Sequence, residues 1–504
     1  VALRAETLAF GPFNGGVRYD VPVEEVSADE LSNMENTRVG IAGQVEGRRG
    51  LASYKDVTVA TSGATVTLLA EFESAPGTSH VVRVVGTAVE EYSSGAWNTI
   101  TGSTTVTAGN VFEWADANGT LVFTNGVDTD AIKWSGAGNA TTLDDNARFS
   151  KGKHIAWFDN RLWIGNVNGA TNQLWYSDTA DIETWGATSF FNFGGVVTGL
   201  SVSQNALTVH TSDGIYTLIA TGSADTPYRP NKRTAKASIG GRCIEALPDD
   251  TQLMVLEDGV YQWSGGSVLN KVSYALDEGY WPDLNVDALK DSFSLRFPRE
   301  NEVWFFLPNG VSQTDMNQIM VYNYRKATEI NGERVGVWYG PYTGNTLSVA
   351  APVDEKPHAG DLDTNVWDMD STAYSDNGVS IPMSFETGAP SPYGPDVKVR
   401  WLNARHYYDA LGDYTLSVTQ KGADIRGEFR TMSMAGSGLI LPGDIPALIA
   451  DLSQRSQDLP LVGFAPQTSL SLSVNGVGET ISHRRILARF KPLGRFLKPK
   501  PVDE

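Results

Sequence analysis

Asp361, Asp363, Asp368 and Asp370 form the densest set of hard-metal ligand types in the sequence. The run Asp361-x-Asp363-x-Asn365 opens as a calcium loop does, with oxygen donors on alternate residues. Its sixth position, where such a loop needs glycine for a sharp turn, is Val366. Its twelfth, where a bidentate glutamate belongs, is Thr372. Both departures argue against a metal. The six histidines (His80, His154, His210, His358, His406 and His483) stand without ligand spacing. No His-Glu-x-x-His, Gly-x-Ser-x-Gly or lysine-bearing phosphate loop occurs, so each histidine reads as a turn, strand-surface or packing residue. Cys243 is the only cysteine, which excludes an intrachain disulfide and a cysteine zinc site. The chain is read as a non-enzyme with no catalytic residue, metal or cofactor.

The remaining chemistry is charge. The net charge of −20 is the reverse of what a phosphate-binding protein carries. The acidity keeps the protein soluble, or lines a passage along which DNA slides without sticking. Against it, the C-terminal stretch gathers Arg484, Arg485, Arg489, Lys491, Arg495, Lys498 and Lys500, met only by Asp503 and Glu504. A second basic spot is Arg48-Arg49, in the turn-rich run Gly43–Gly50. These nine cations are the candidate partner-binding residues, suited to an acidic neighbour or to DNA.

The elements that must carry them are strands. Asp213-Gly214-Ile215-Tyr216 recurs as Asp258-Gly259-Val260-Tyr261, 45 residues on. Short strands and turns at such a period are the mark of propeller blades. Apolar anchors at Val82, Leu121, Leu162, Leu207, Leu253, Val303 and Val366 suggest six or seven blades. Leu207–His210 alternates as a half-buried strand, while Val303–Leu307 is apolar throughout, as a strand buried on both faces would be. Trp97, Trp134, Trp175 and Trp263 read as blade-packing residues.

The fold class is therefore all-β. An N-terminal arm covers 1–55, with a short helix expected from the capping-box spacing Ser27-Ala28-Asp29-Glu30. A β-propeller follows over 56–385. Cleaner alternation at Tyr414, Leu416, Val418 and at Leu470, Leu472, Val474 marks an antiparallel β-sandwich over 386–490. A helical insertion is expected near 445–459, where Ile445, Leu448, Ile449 and Leu452 share a helical face. Residues 491–504 form a basic tail. With no signal-peptide pattern and no apolar run of membrane-spanning length, the chain reads as soluble and made in the cytosol.

Several phrases in order resemble the nozzle, or tail-hub, proteins of short-tailed bacteriophages. They are Gly43–Gly50 with Asn36 and Arg38 upstream; Asn160-Arg161-Leu162-Trp163, then Leu174-Trp175-Tyr176-Ser177-Asp178 and Trp185; Asp213–Tyr216; and Trp367-Asp368-Met369-Asp370, Asp376-Asn377-Gly378 and Glu386-Thr387. The resemblance covers most of residues 1–400. It implies a structural virion protein, made in the host cytoplasm, that forms a homo-oligomeric ring, expected to be a hexamer, at the distal end of the tail. Such a ring surrounds a gated channel for DNA ejection, which viral DNA crosses without specific binding. It joins an adaptor or tubular ring protein, and tail fibres or a plug or needle protein dock on it. A second reading comes from Thr179–Trp185, which resembles the Asp-box of sialidase-type propellers, although Trp185 arrives one residue early and Glu183 replaces the turn glycine. It implies a glycan-binding or glycan-cleaving tail propeller acting in host recognition. A cellular propeller scaffold is a third, more distant reading.

Overall fold

The computed structural model describes residues 4–144, 148–203, 206–223, 227–330, 332–409, 412, 414–422, 425–434 and 454–493. Seven four-stranded antiparallel sheets follow one another at 66–99, 113–142, 154–192, 197–234, 244–271, 293–342 and 347–368. Residues next to or within the first strand of every sheet line one central passage: Leu68, Trp114, Ile155, Leu200, Arg242, Phe293 and Val349. The sheets are thus blades around an axis, and the fold is a seven-bladed β-propeller.

The ring closes through the arm. Blade 7 supplies only three strands of its own, and its outer strand is Ala52–Ser53, paired with Val366–Asp368. Closing the last blade with a distant segment leaves no unpaired seam at which the ring could open. Six of the seven sequence anchors lie on the second strand of a blade; Val366 lies on the third strand of blade 7, whose second strand is Lys356–Asp361. The long hairpin of blade 6, Gln318–Ile330 and Glu333–Tyr342, stretches the repeat there. The expected alternation at Leu207–His210 is corrected, because Leu207 through Thr211 are all buried.

The repeated Asp-Gly phrase has a physical basis. Asp213 and Asp258 each accept a hydrogen bond from the tyrosine three residues on, Tyr216 at 2.9 Å and Tyr261 at 2.8 Å. Gly214 turns at φ +140°, where a Cβ would lie 1.9 Å from the Thr234 carbonyl oxygen. Tryptophans close other corners: the indole nitrogens of Trp134 and Trp263 donate to the carbonyls of Gly138 (3.1 Å) and Gly266 (2.7 Å).

Two further sheets adjoin the propeller. A six-stranded sheet runs Gly16–Val17, Glu30–Glu35, Met383–Thr387, Ser469–Val474, Thr415–Gly422, Ile425–Ser433. A seven-stranded sheet is centred on Ser482–Pro492 and Val399–Asp409, and takes Glu6–Phe10, Thr37–Val39 and Val45–Gly47 from the arm. Phe385 of the first sheet meets His483 of the second (ring centroids 5.7 Å). One buried cluster runs from Phe305 and Trp338 of blade 6 through Phe385 and Leu472 to Trp401 and Phe490. The arm is therefore woven through both sheets and into the propeller rather than standing apart from them.

Two helix expectations meet strands instead. The amide of Ser27 donates the capping-box bond to the Glu30 carboxylate (3.1 Å), but Glu30–Glu35 is a strand pairing Met383–Thr387. A distant partner strand outweighs a local cap, which contributes only about 1 kcal/mol. At the expected insertion, residues 454–459 belong to the strand Gln454–Pro460; 445–453 lie outside the described residues.

Candidate functional site

The candidate cations fall into three groups. Arg48 is 5% exposed and bonded within the chain: Nε to Asn36 Oδ1 at 2.7 Å, Nη1 and Nη2 to the Asp376 carboxylate at 2.9 and 2.6 Å, and Nη2 to the Thr343 carbonyl at 3.1 Å. It ties the arm to the propeller and is removed from the partner-facing set. Its neighbour Arg49 is more open and lies 3.3 Å from Asp370.

Arg484, Arg485, Arg489 and Lys491 do not lie in a loose tail. They sit on Ser482–Pro492, a strand paired on one side with Val399–Asp409 and on the other with Glu6–Phe10 and Val45–Gly47. Register sets Arg400 opposite Lys491, Asn403 opposite Arg489 and Tyr407 opposite Arg485. Directly opposed residues share a face, so Arg400, Arg485, Arg489 and Lys491 gather on one side of the sheet. All four are exposed, and none has an ion-pair partner among the described residues. Arg405, on the same face, is held by Asp458 through two bonds of 2.9 and 2.7 Å, and Arg484 pairs with Asp409 at 3.1 Å. Like charges opposed across a ladder, as Arg400 and Lys491 are, destabilise a sheet unless an outside anion meets them. Arg495, Lys498 and Lys500 lie outside the described residues.

The setting sharpens this face. Residues 56–382 hold 39 acidic and 19 basic side chains, the whole of the chain's −20, and the remainder balances to zero. The basic sheet is carried beside an acidic propeller.

The axial channel is the second candidate site, which sequence reading missed because its residues come from seven blades. It has an upper chamber of about 630 Å³, a waist of about 210 Å³ and a lower basin of about 1010 Å³. Leu68, Phe112, Ile155 and Leu200 line the waist together with the polar side chains of Glu113, Arg242 and Ser294. Arg242 reaches across it to donate to the Ser348 carbonyl of blade 7 at 3.1 Å and to the Asp291 carbonyl of blade 6, with its guanidinium 5.1 Å from the Phe293 ring centre. In the upper chamber His154 Nδ1 is 2.9 Å from Glu113 Oε1. Gly241 crosses directly above this pair; a Cβ there would stand 2.6 Å from Glu113 Oε1 and 2.7 Å from His154 Nδ1. In the lower basin burial raises the Glu245 carboxyl to about 7, partly offset by Arg296. These groups can bind polar ligands and hold protons.

The other sequence candidates act structurally. Asp361 Oδ1 accepts from the amides of Asp363 and Asn365, both at 2.8 Å, and Oδ2 from the Trp367 indole at 2.9 Å, so the calcium-like run is a self-bonded turn. Among the described residues no group of three potential metal ligands converges. The Asp-box-like turn is bonded in the same way: Asp181 Oδ1 accepts from Glu183 N at 2.8 Å, and Trp185 is buried against Phe149 at 4.4 Å.

No protein-family model matches the chain, and no curated protein matches it. Among solved structures it is similar to the extracellular domain of a one-component system from B. thetaiotaomicron, with TM-score 0.42 and 9% identity over 91% of this chain and 62% of that one. It is similar to virginiamycin B lyase from Staphylococcus aureus, with TM-score 0.41 and 10% identity over 63% of this chain and 97% of that one. It is also similar to an exo-β-1,3-galactanase from Phanerochaete chrysosporium, with TM-score 0.26 or below and about 11% identity over 88% of this chain. The chain thus spans under two thirds of the length of the first of these, and likeness this distant carries no argument about activity. No helix among the described residues is long and apolar enough to cross a membrane.

Proposed function

We propose that this chain is a non-catalytic structural component of a short-tailed bacteriophage tail, of the nozzle type, which packs side by side into a ring. The observation that carries the reading is the division of charge: four exposed, unneutralised cations on one sheet face beside a propeller holding the full net charge of −20. In a ring built from heterologous contacts, one copy's basic face meets a different surface of the next copy. An acidic propeller wall satisfies that face, and the contact weakens with salt. The interwoven arm supports the same reading, since a body whose arm is paired with Ser482–Pro492 holds its shape while its neighbours pull on it. DNA would pass through the middle of the ring formed by the copies. An adaptor or tubular ring protein above, and fibres or a plug below, are the further partners of this reading.

The test is to image particles carrying a tagged copy of the chain alongside particles carrying Arg485→Glu/Arg489→Glu. The wild-type chain is expected as a ring at the tail tip. The charge-reversed chain is expected to fold, yet to enter particles poorly. A chain that is absent from every particle removes the proposal.

A further inference from the structure

We propose that the upper axial chamber of the propeller binds a small, multiply charged anion, a phosphate or an organic di-carboxylate, seated on Arg242 between Lys153 and Lys290. Three side chains carry the argument. Arg242 stands at the floor of the chamber, fixed by two main-chain carbonyls and a phenyl ring rather than by a carboxylate. Neutral acceptors orient a guanidinium without cancelling its charge, and among the described residues Arg242 has no ion-pair partner. Lys153 and Lys290 line the chamber above it, both exposed and also without an ion pair among the described residues. Two acids share the chamber. Glu113 is engaged by His154 at 2.9 Å. Asp291 is exposed, and its main-chain oxygen is one of the groups that positions Arg242.

Burial lowers the proton affinity of Arg242, and the nearby Glu113 and Asp291 carboxylates offset this only in part. A bound anion removes that penalty and forms the charge-assisted bonds for which a guanidinium is suited. The waist below is the smaller space, about 210 Å³, and Arg242 lines both it and the chamber. The space of about 630 Å³ above fits a small molecule and not a polymer strand. Gly240 and Gly241 keep the wall thin: a Cβ at Gly240 would lie 2.3 Å from the Lys290 carbonyl oxygen. This site does not depend on the ring proposal.

The test is isothermal calorimetry of the full chain with inorganic phosphate and, separately, with succinate at low ionic strength. At least one is expected to bind at millimolar concentration or below, and the two arms tell which head group is preferred. Arg242→Met is expected to weaken binding about tenfold or more, as loss of a charge-assisted bond does. Lys153→Gln/Lys290→Gln, both at exposed positions, is expected to weaken it several-fold without touching the fold. Arg489→Gln, on the distant sheet face, is expected to leave it unchanged, which separates this site from the ring contact. No heat with either anion, or equal affinity in wild type and the lysine double variant, overturns the proposal.

Discussion

Acidification should loosen the seven-stranded sheet. His406 and His483 are both fully buried, with His406 Nδ1 3.2 Å from His483 Nε2. Their other ring nitrogens, His406 Nε2 and His483 Nδ1, have no hydrogen-bond partner. Only neutral rings fit such a place, because one proton bridges the pair and a second would add an uncompensated buried charge. Burial pushes His406 down to about 4 and His483 well below its ordinary value. The unfolded chain takes up protons near 6.5. Stability from the neutral pair is therefore complete above about pH 6.5 and is lost as pH falls toward 4. For His406 alone the loss between pH 7 and pH 5 is about 2 kcal/mol, or about 30-fold in an opening equilibrium. His483 adds in the same direction. Hydrogen exchange read by mass spectrometry on Val399–Asp409 and Ser482–Pro492, corrected for intrinsic rates, measures this directly. His406→Gln starts from lower protection but should lose much less of it between pH 7 and pH 5. If wild type and His406→Gln lose protection equally over that interval, the reasoning is wrong.

Arg48→Ala should destabilise the chain by about 3 kcal/mol, because it leaves the Asp376 carboxylate without its bidentate partner; a thermal melt checks this, and Arg48→Lys should recover only part of the loss. Gly214→Ala should lower the melting temperature, since the new methyl group would collide with the Thr234 carbonyl oxygen, whereas Gly266→Ala, with open space around it, should change little. Asp258→Ala should cost about 1 kcal/mol for its tyrosine bond, and Asp213→Ala more, because Asp213 also accepts from Thr211 and Lys232; thermal melts compare the two. Truncation after Pro492 should leave a folded chain, while truncation before Arg484 should not, since Ser482–Pro492 is paired on both edges; circular dichroism and limited proteolysis distinguish the two.

Local pattern and distant contact divided the determination of this protein. The sequence alone established an all-β chain with a repeating blade, because Asp-Gly turns and apolar second strands depend on neighbours within a few residues. It also marked out the basic stretch at Arg484–Lys491, because charge is legible without coordinates. What it could not determine was which segments pair across hundreds of residues. Ala52–Ser53 reads as nothing in particular until it is the last strand of blade 7. Ser27–Glu30 reads as a helix cap until Met383–Thr387 is beside it. Arg48 and Arg485 are indistinguishable as letters, yet one is a buried tie and the other an exposed charge, since burial is a property of what folds over a residue. The axial groups Glu113, His154 and Arg242 lie up to 129 positions apart in the chain and meet only because blades close around an axis. Strand pairing and ring closure are non-local, so they belong to the tertiary structure and not to any stretch of sequence.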